Sequence, residues 1–342
     1  MRIWQGFQKG VDLGGWYSQC DHTEAHYDGF ITERDLERIR SWGADHVRVP
    51  IDYELVENGD ASVRESGYLR LEKTVAWCRK YGLNMMLDLH KTAGYSFDAG
   101  EAENGFFENA AYQERFYRLW ETIAARFGKD SDMLAFELLN EVTDRAWCEA
   151  WNRIAAACIR RIRAFAPDTY IVVGGYDYNS VRAVKDLALP ADEKIVYNFH
   201  CYEPMIFSHQ GAYWIPTMDR SFRIRVDADF GTMAEATRKQ FDTERTVFDG
   251  KPAKQTLDAG FFRELFREAV QTAEARNVPL YCGEYGVIDR AAPEDALAWY
   301  RMIHAVFTEY GIGRAAWSYR EMDFGLSDAR MDGVREELLR CL

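Results

Sequence analysis

Residues 135–173 read AFELLNEVTDRAWCEAWNRIAAACIRRIRAFAPDTYIVV. A short apolar run, Ala135–Leu139, ends on Asn140 and Glu141. A long stretch follows, Ala146–Phe165, with apolar residues at three- and four-residue spacings. A second β-branched run, Tyr170–Val173, closes the segment. Strand, amphipathic helix and strand in that order predict a parallel βα unit, since a parallel neighbour is reached only by a crossover.

The same alternation extends in both directions. Further strand candidates are Gly10–Gly14, His46–Pro50, Asn84–Leu89, Ile195–His200, Leu280–Gly283 and Arg314–Trp317. Further helix candidates are Glu33–Trp42, Gly67–Tyr81, Ala111–Phe127, Ala259–Ala275 and Pro293–Tyr310. Thr32 before Glu33 and Asp35 reads as an N-cap, and Gly43 and Gly82 read as helix stops. Asp130 starts the turn into the fourth strand. Eight strands alternating with helices over 342 residues predict an α/β protein, a closed (β/α)8 TIM barrel forming one domain over 1–342.

One connection is out of proportion. From Cys201 to about Asp258 the chain is aromatic and charged, with Trp214, Phe222, Phe230, Phe241 and Phe248. Loops this long are usually functional or carry structure of their own. An extended subdomain inserted after strand 6, about 201–258, is therefore expected, helical around Met233–Thr246. No low-complexity linker or internal repeat sets it apart.

Composition bounds the partners. Apolar residues make up 47% and charged residues 28%, an ordinary balance for a globular protein. The 14% aromatic content mostly fills a large core; a minority is expected in a cleft, where rings pack on the apolar faces of sugars. A net charge of −13 argues against nucleic acid or an anionic membrane surface. No apolar run is long enough to span a bilayer. Seven scattered cysteines without a CxxC pair suggest reduced thiols rather than a disulfide framework. Met1–Gly6 leads almost directly into folded-looking sequence, so no signal peptide is expected. That fits a cytoplasmic protein, or a secreted one whose leader has been removed. A monomer is expected.

The informative polar residues fall at strand ends: Arg48, Asp88, His90, Asn140, Glu141, His200, Tyr202, Glu284 and Trp317. In a barrel those ends meet on one face, where such folds build active sites. Two carboxylic acids facing one another suit cleavage of an acetal. One protonates the leaving oxygen; the other attacks the anomeric carbon or activates water. A separation of about 5–5.5 Å would mean direct attack and retention.

The ordered set of motifs resembles glycoside hydrolase family 5, of clan A. Gly10-Val11-Asp12-Leu13-Gly14-Gly15-Trp16 is similar to the family's opening strand, His46-Val47-Arg48-Val49-Pro50 to its second and Leu87-Asp88-Leu89-His90 to its third. Phe136–Glu141 matches the Asn-Glu strand, and His200-Cys201-Tyr202 the sixth. Gly283-Glu284-Tyr285-Gly286 and Ala316-Trp317-Ser318-Tyr319 match the last two. The resemblance implies Glu284 as nucleophile, supported by Arg48 and Tyr202, and Glu141 as acid/base. It implies Asn140 on the sugar 2-hydroxyl, His90 and His200 holding hydroxyls or tuning the carboxylates, and Trp317 flooring the subsite. No metal and no cofactor are implied.

Two positions depart from the common pattern: Val142 stands where many members have Pro, and Asp12 where Asn is common. Neither is expected to touch the chemistry. His200-Cys201-Tyr202-Glu203-Pro204 with Phe207-Ser208-His209-Gln210 and Trp214 resembles the cellulase C type of endoglucanase. That likeness would bring Trp214, and with it His209 and Gln210, to the cleft. It implies an endo-β-1,4-glucanase on soluble cellulosic or mixed-linkage β-glucan, polymer or oligosaccharide. β-Mannanase, glucomannanase and xyloglucanase are alternatives on the same scaffold.

Other readings compete. A non-catalytic carbohydrate-binding barrel would bind without turnover. A metal-dependent hydrolase would use His90, His200 and nearby carboxylates, and would lose activity to a chelator. His22-Thr23-Glu24-Ala25-His26 is a second metal candidate, though its spacing fits a cleft rim better. Trp4, Trp147 and Trp151 read as packing, as do Cys201 and Cys282, and Glu137 as helix packing or a salt-bridge partner.

Overall fold

Eight parallel strands close in chain order into a barrel. They are β1 Gly10–Asp12, β2 His46–Asp52, β3 Asn84–Lys91, β4 Leu134–Glu137, β5 Tyr170–Gly174, β6 Ile195–Cys201, β7 Leu280–Tyr285 and β8 Gly313–Ala316. These are features of a computed structural model that describes residues 1–98 and 100–342. The expected (β/α)8 fold is the one observed.

Helix limits follow the local signals. Pro293–Tyr310 and Ala259–Ala275 lie where the periodicity puts them. Thr32 and Asp35 form a capping box, the Thr32 backbone N–H donating to Asp35 Oδ2 at 2.8 Å, and give the helix Glu33–Ser41 its start. Gly82, at φ 66°, ends Glu65–Tyr81 in the left-handed region that a β-carbon disfavours. Between β5 and β6 there is no long helix, only the turn Tyr176–Asn179 and the 3-10 segment Val181–Asp186.

Most boundaries shift by one or two residues from expectation, and two helical stretches differ in more than that. The Ala146–Phe165 stretch divides into a 3-10 turn, Arg145–Trp147, and the helix Cys148–Arg163. In the long connection after β6 the helix is Phe230–Phe241, not Met233–Thr246. Asp229 caps its first turn by accepting from Thr232 N–H at 2.9 Å, and Asp242 leaves it at φ 48°. The helix starts early because Phe230 packs on Phe248 and Phe261, at 5.0 and 6.0 Å between centroids. This anchors the segment to the barrel's outer helix Ala259–Ala275.

Inside the barrel the layers differ in kind. At the N-terminal end Met86, Ala135, Val172, Val196 and Tyr281 form an apolar layer, with Trp4 stacked on Phe7 at 4.0 Å beneath it. Above it the inward positions turn charged. Two register shifts, at Phe199/His200 and between Cys282 and Tyr285, re-aim the ends of β6 and β7. Among the described residues no helix is long and apolar enough to cross a membrane.

Candidate active site

Arg48 is the centre of the charged layer and is fully buried. Its guanidinium reaches Glu137 at 2.6 Å, Glu284 at 2.8 Å, Asp88 at 3.0 Å and Asp12 at 3.3 Å. It also donates to Asn140 Oδ1 at 2.9 Å. One cation cannot neutralise four buried carboxylates, so protons must make up the difference. Burial pushes Asp88 and Glu137 up to about 7 against the pull of Arg48, and Asp12 rises well above its ordinary value for the same reason. Glu137, read from sequence as helix packing or a salt bridge, is the latter, and Asp12, expected to stand clear of the chemistry, shares Arg48 with Glu284.

Removing the cation should therefore be costly. Arg48→Met is expected to lower stability by about 3–5 kcal/mol, the usual loss when a buried charge cluster loses its counter-ion. Urea unfolding at pH 7 measures it; a loss below 1 kcal/mol would contradict the picture.

The two glutamates sit above this layer in unlike surroundings. One oxygen of each, with a His200 ring nitrogen, lie within 4.8 Å of one another. Glu284 accepts from Arg48 and, at 2.8 Å, from the Tyr202 hydroxyl. Burial raises its pKa, while Arg48, His90 and Tyr202 pull it back. Among the described residues no Arg or Lys pairs with Glu141: burial first, then the charge of Glu284, holds it well above the carboxylate range against the weaker pull of Arg48. Of the two, Glu284 is the stronger acid. Such a site holds one carboxylate ionised beside one carboxylic acid.

Glu141 is also held from behind. Its φ of 39° lies in the left-handed region. The Tyr95 hydroxyl donates to its carbonyl at 2.6 Å and accepts from Thr143 N–H at 2.9 Å, clamping the turn. His200 Nδ1 lies 2.7 Å from Glu141 Oε1 and 3.6 Å from Glu284 Oε2. Burial lowers its pKa well below the usual value, so the ring is neutral. His90, brought down to about 4 by burial, puts Nδ1 2.6 Å from Asp88 and stacks on Trp317 at 5.7 Å with planes 5° apart. Gly14 makes room for that indole: a β-carbon there would fall 2.7 Å from it.

The structure thus gathers Arg48, His90, Asn140, Glu141, His200, Tyr202, Glu284 and Trp317 at one mouth. Trp214, 41% exposed, stands at the rim against His209, which packs on Tyr202. Gln210 does not reach the cleft. It is buried, and its amide is occupied by Phe207 O and Ile224 N–H. The His22–His26 segment does not converge either: Glu24 pairs with Arg70, and His26 bonds Gly15 O. His22 pairs instead with Asp52 at 3.3 Å, and hydrogen bonds to Asp52 and Cys20 raise it to about 10. With Glu54 these two form a second group of potential ligands, though a histidine paired in this way holds its proton.

Sequence reasoning passed over Tyr95, Asn179 and Asn198. Asn198 had a signal, lying two residues before His200 and so on the same face of β6. Tyr95 and Asn179 lie in loops, where period gives no direction.

Similarity to known proteins makes the chain a glycoside hydrolase. A family model described as Cellulase (glycosyl hydrolase family 5) matches residues 7–323. Cellodextrinase A of Ruminococcus flavefaciens is 49% identical over 310 residues, 91% of this chain and 84% of the relative. Endoglucanase C of Acetivibrio thermocellus is 34% identical over 340 residues, 98% of each. The crystal structure of an endoglucanase from the hyperthermophilic Thermotoga maritima shares the fold, with a TM-score of 0.77 at 20% identity over 98% of this chain and 97% of that one. The chain belongs to glycosyl hydrolase family 5.

Proposed function

We propose that the protein is a retaining endo-β-1,4-glucanase acting on soluble β-glucan chains and cello-oligosaccharides. The observation that carries it is the pair of glutamates, within 4.8 Å oxygen to oxygen and in environments that separate their acidities. The spacing leaves no room for a water between them and supports direct attack. The names of the two sequence relatives support a glucan substrate.

In the first step Glu284 attacks the anomeric carbon as the glycosidic bond breaks, and Glu141 gives its proton to the leaving oxygen. In the second step Glu141, now a carboxylate, takes a proton from water. The water oxygen bonds the anomeric carbon and Glu284 departs with its electron pair. Arg48 and Tyr202 stabilise the Glu284 carboxylate before and after. Asn140, its oxygen committed to Arg48, offers its amide N–H groups to a sugar 2-hydroxyl. Trp317 supplies a flat face beneath the ring, and Trp214 a second at the rim.

Initial rates on barley β-glucan, carboxymethylcellulose, cello-oligosaccharides, mannan, glucomannan and xyloglucan test the substrate. The first three are expected to exceed mannan by at least about tenfold, the scale that misplacing one hydrogen-bonded hydroxyl gives. Preference for mannan or xyloglucan would overturn the glucan assignment; binding without turnover on all six would overturn the enzyme. NMR of the first product should show the β-anomer.

A further inference from the structure

We infer that Asn179 is a positioning residue that, with Asn198, fixes the tautomer of His200 and so directs the acid proton of Glu141 toward the cleft. This rests on the reading of Glu141 as acid/base.

His200 is neutral, so one ring nitrogen carries hydrogen and the other a lone pair. Nε2 faces two side-chain amides: Asn179 Nδ2 at 3.3 Å and Asn198 Nδ2 at 3.5 Å. The orientation of Asn198 has no freedom. Its Oδ1 accepts from the Gly283 backbone N–H at 2.8 Å, and its Nδ2 donates to Glu137 at 2.7 Å. An N–H group is therefore aimed toward Nε2, and a hydrogen on Nε2 would meet it head-on. Asn179 turned the other way would demand such a hydrogen, so its Nδ2 must face the ring as well. Nε2 holds the lone pair, and Nδ1–H donates to Glu141 Oε1 at 2.7 Å.

The backbone is bent to make this contact. Asp177, Tyr178 and Asn179 take φ of 50°, 57° and 55°, three successive non-glycine residues in the left-handed region. Such strain persists where surrounding contacts enforce it. Tyr178 N–H is tied to Val142 O at 3.1 Å, next to the acid/base residue itself. Asn179 ends fully buried, its Oδ1 without a hydrogen-bond partner among the described residues. Two glycines clear the space. A β-carbon on Gly174 would fall 2.3 Å from Asn179 Oδ1, and one on Gly283 would fall 2.7 Å from Asn198 Nδ2 and 3.0 Å from His200 Nε2.

The consequence is directional. With Oε1 of Glu141 accepting from His200, the acid proton resides on Oε2. The same donation steadies the Glu141 carboxylate that must later take a proton from water. In the opposite tautomer Nδ1 would accept, and the acid proton would be drawn onto Oε1 and away from the leaving oxygen.

Long-range 1H–15N correlation on the wild-type protein reads the tautomer directly. The expected spectrum has His200 protonated at Nδ1 and bare at Nε2; the reverse overturns the inference without any variant. Asn179→Asp should draw hydrogen onto Nε2 and lower kcat/KM on cellotetraose about tenfold, the weight of one hydrogen bond to a carboxyl group. On 2,4-dinitrophenyl cellobioside, whose leaving group needs no acid, kcat/KM should stay within about twofold. Equal losses on both substrates would reduce Asn179 to packing and overturn the inference. Full activity of Glu141→Gln on cellotetraose would instead remove the acid/base reading beneath it. An inactive Glu141→Gln with a wild-type Nε2–H would remove the tautomer assignment alone.

Discussion

Glu284→Ala should lose turnover by a factor on the order of 10⁵ or more, whatever the leaving group, because the bond to the anomeric carbon can no longer form. Arg48 and Tyr202 would remain, now facing a small void open to an anion. Added azide should enter it and restore part of the activity on an activated aryl β-cellobioside, giving the α-glycosyl azide. Product analysis by NMR decides the matter. A β-azide from this variant would assign the nucleophile to the other glutamate.

Glu141→Ala should behave differently on the two kinds of substrate. On β-glucan or cellotetraose, kcat/KM should fall by about 10²–10⁴, the worth of a positioned general acid. On a dinitrophenyl glycoside the first step needs no proton, so kcat/KM should hardly change and azide should give the β-glycosyl azide. The pH profile carries the same assignment. Wild-type activity is lost as pH falls through the pKa of Glu284, which must be ionised. It is lost as pH rises through that of Glu141, which must be protonated and which burial and Glu284 hold high. The alkaline limb should vanish in Glu141→Ala assayed on the activated substrate; its persistence there would mean that another group donates the proton.

Much of this arrangement was legible in the chain because barrels impose a simple code. Strand ends share one face, so Arg48, His90, Glu141, His200 and Glu284 could be placed together before any contact was known. Helix limits with sharp local chemistry, such as Gly82 or Pro293, also read correctly. Less legible were features set by tertiary packing. The helix Phe230–Phe241 begins where aromatic contacts with Phe248 and Phe261 put it, and no periodicity reports those partners. Asn179 was invisible for a related reason: nothing in Gly175-Tyr176-Asp177-Tyr178-Asn179 announces three left-handed residues. Gln210 shows the converse. Its place beside His209 suggested a cleft role, but the backbone of the long connection uses both ends of its amide.

The single guanidinium among four carboxylates has a consequence of its own. Asp12, Asp88, Glu137 and Glu284 all reach Arg48, so none can gain or lose a proton without altering the field at the others. The barrel interior therefore titrates as one polyprotic acid whose steps belong to the assembly rather than to single residues. A neutral substitution deep in the barrel, at Asp88 or Glu137 for instance, would retune the nucleophile through the Arg48 that it shares with them.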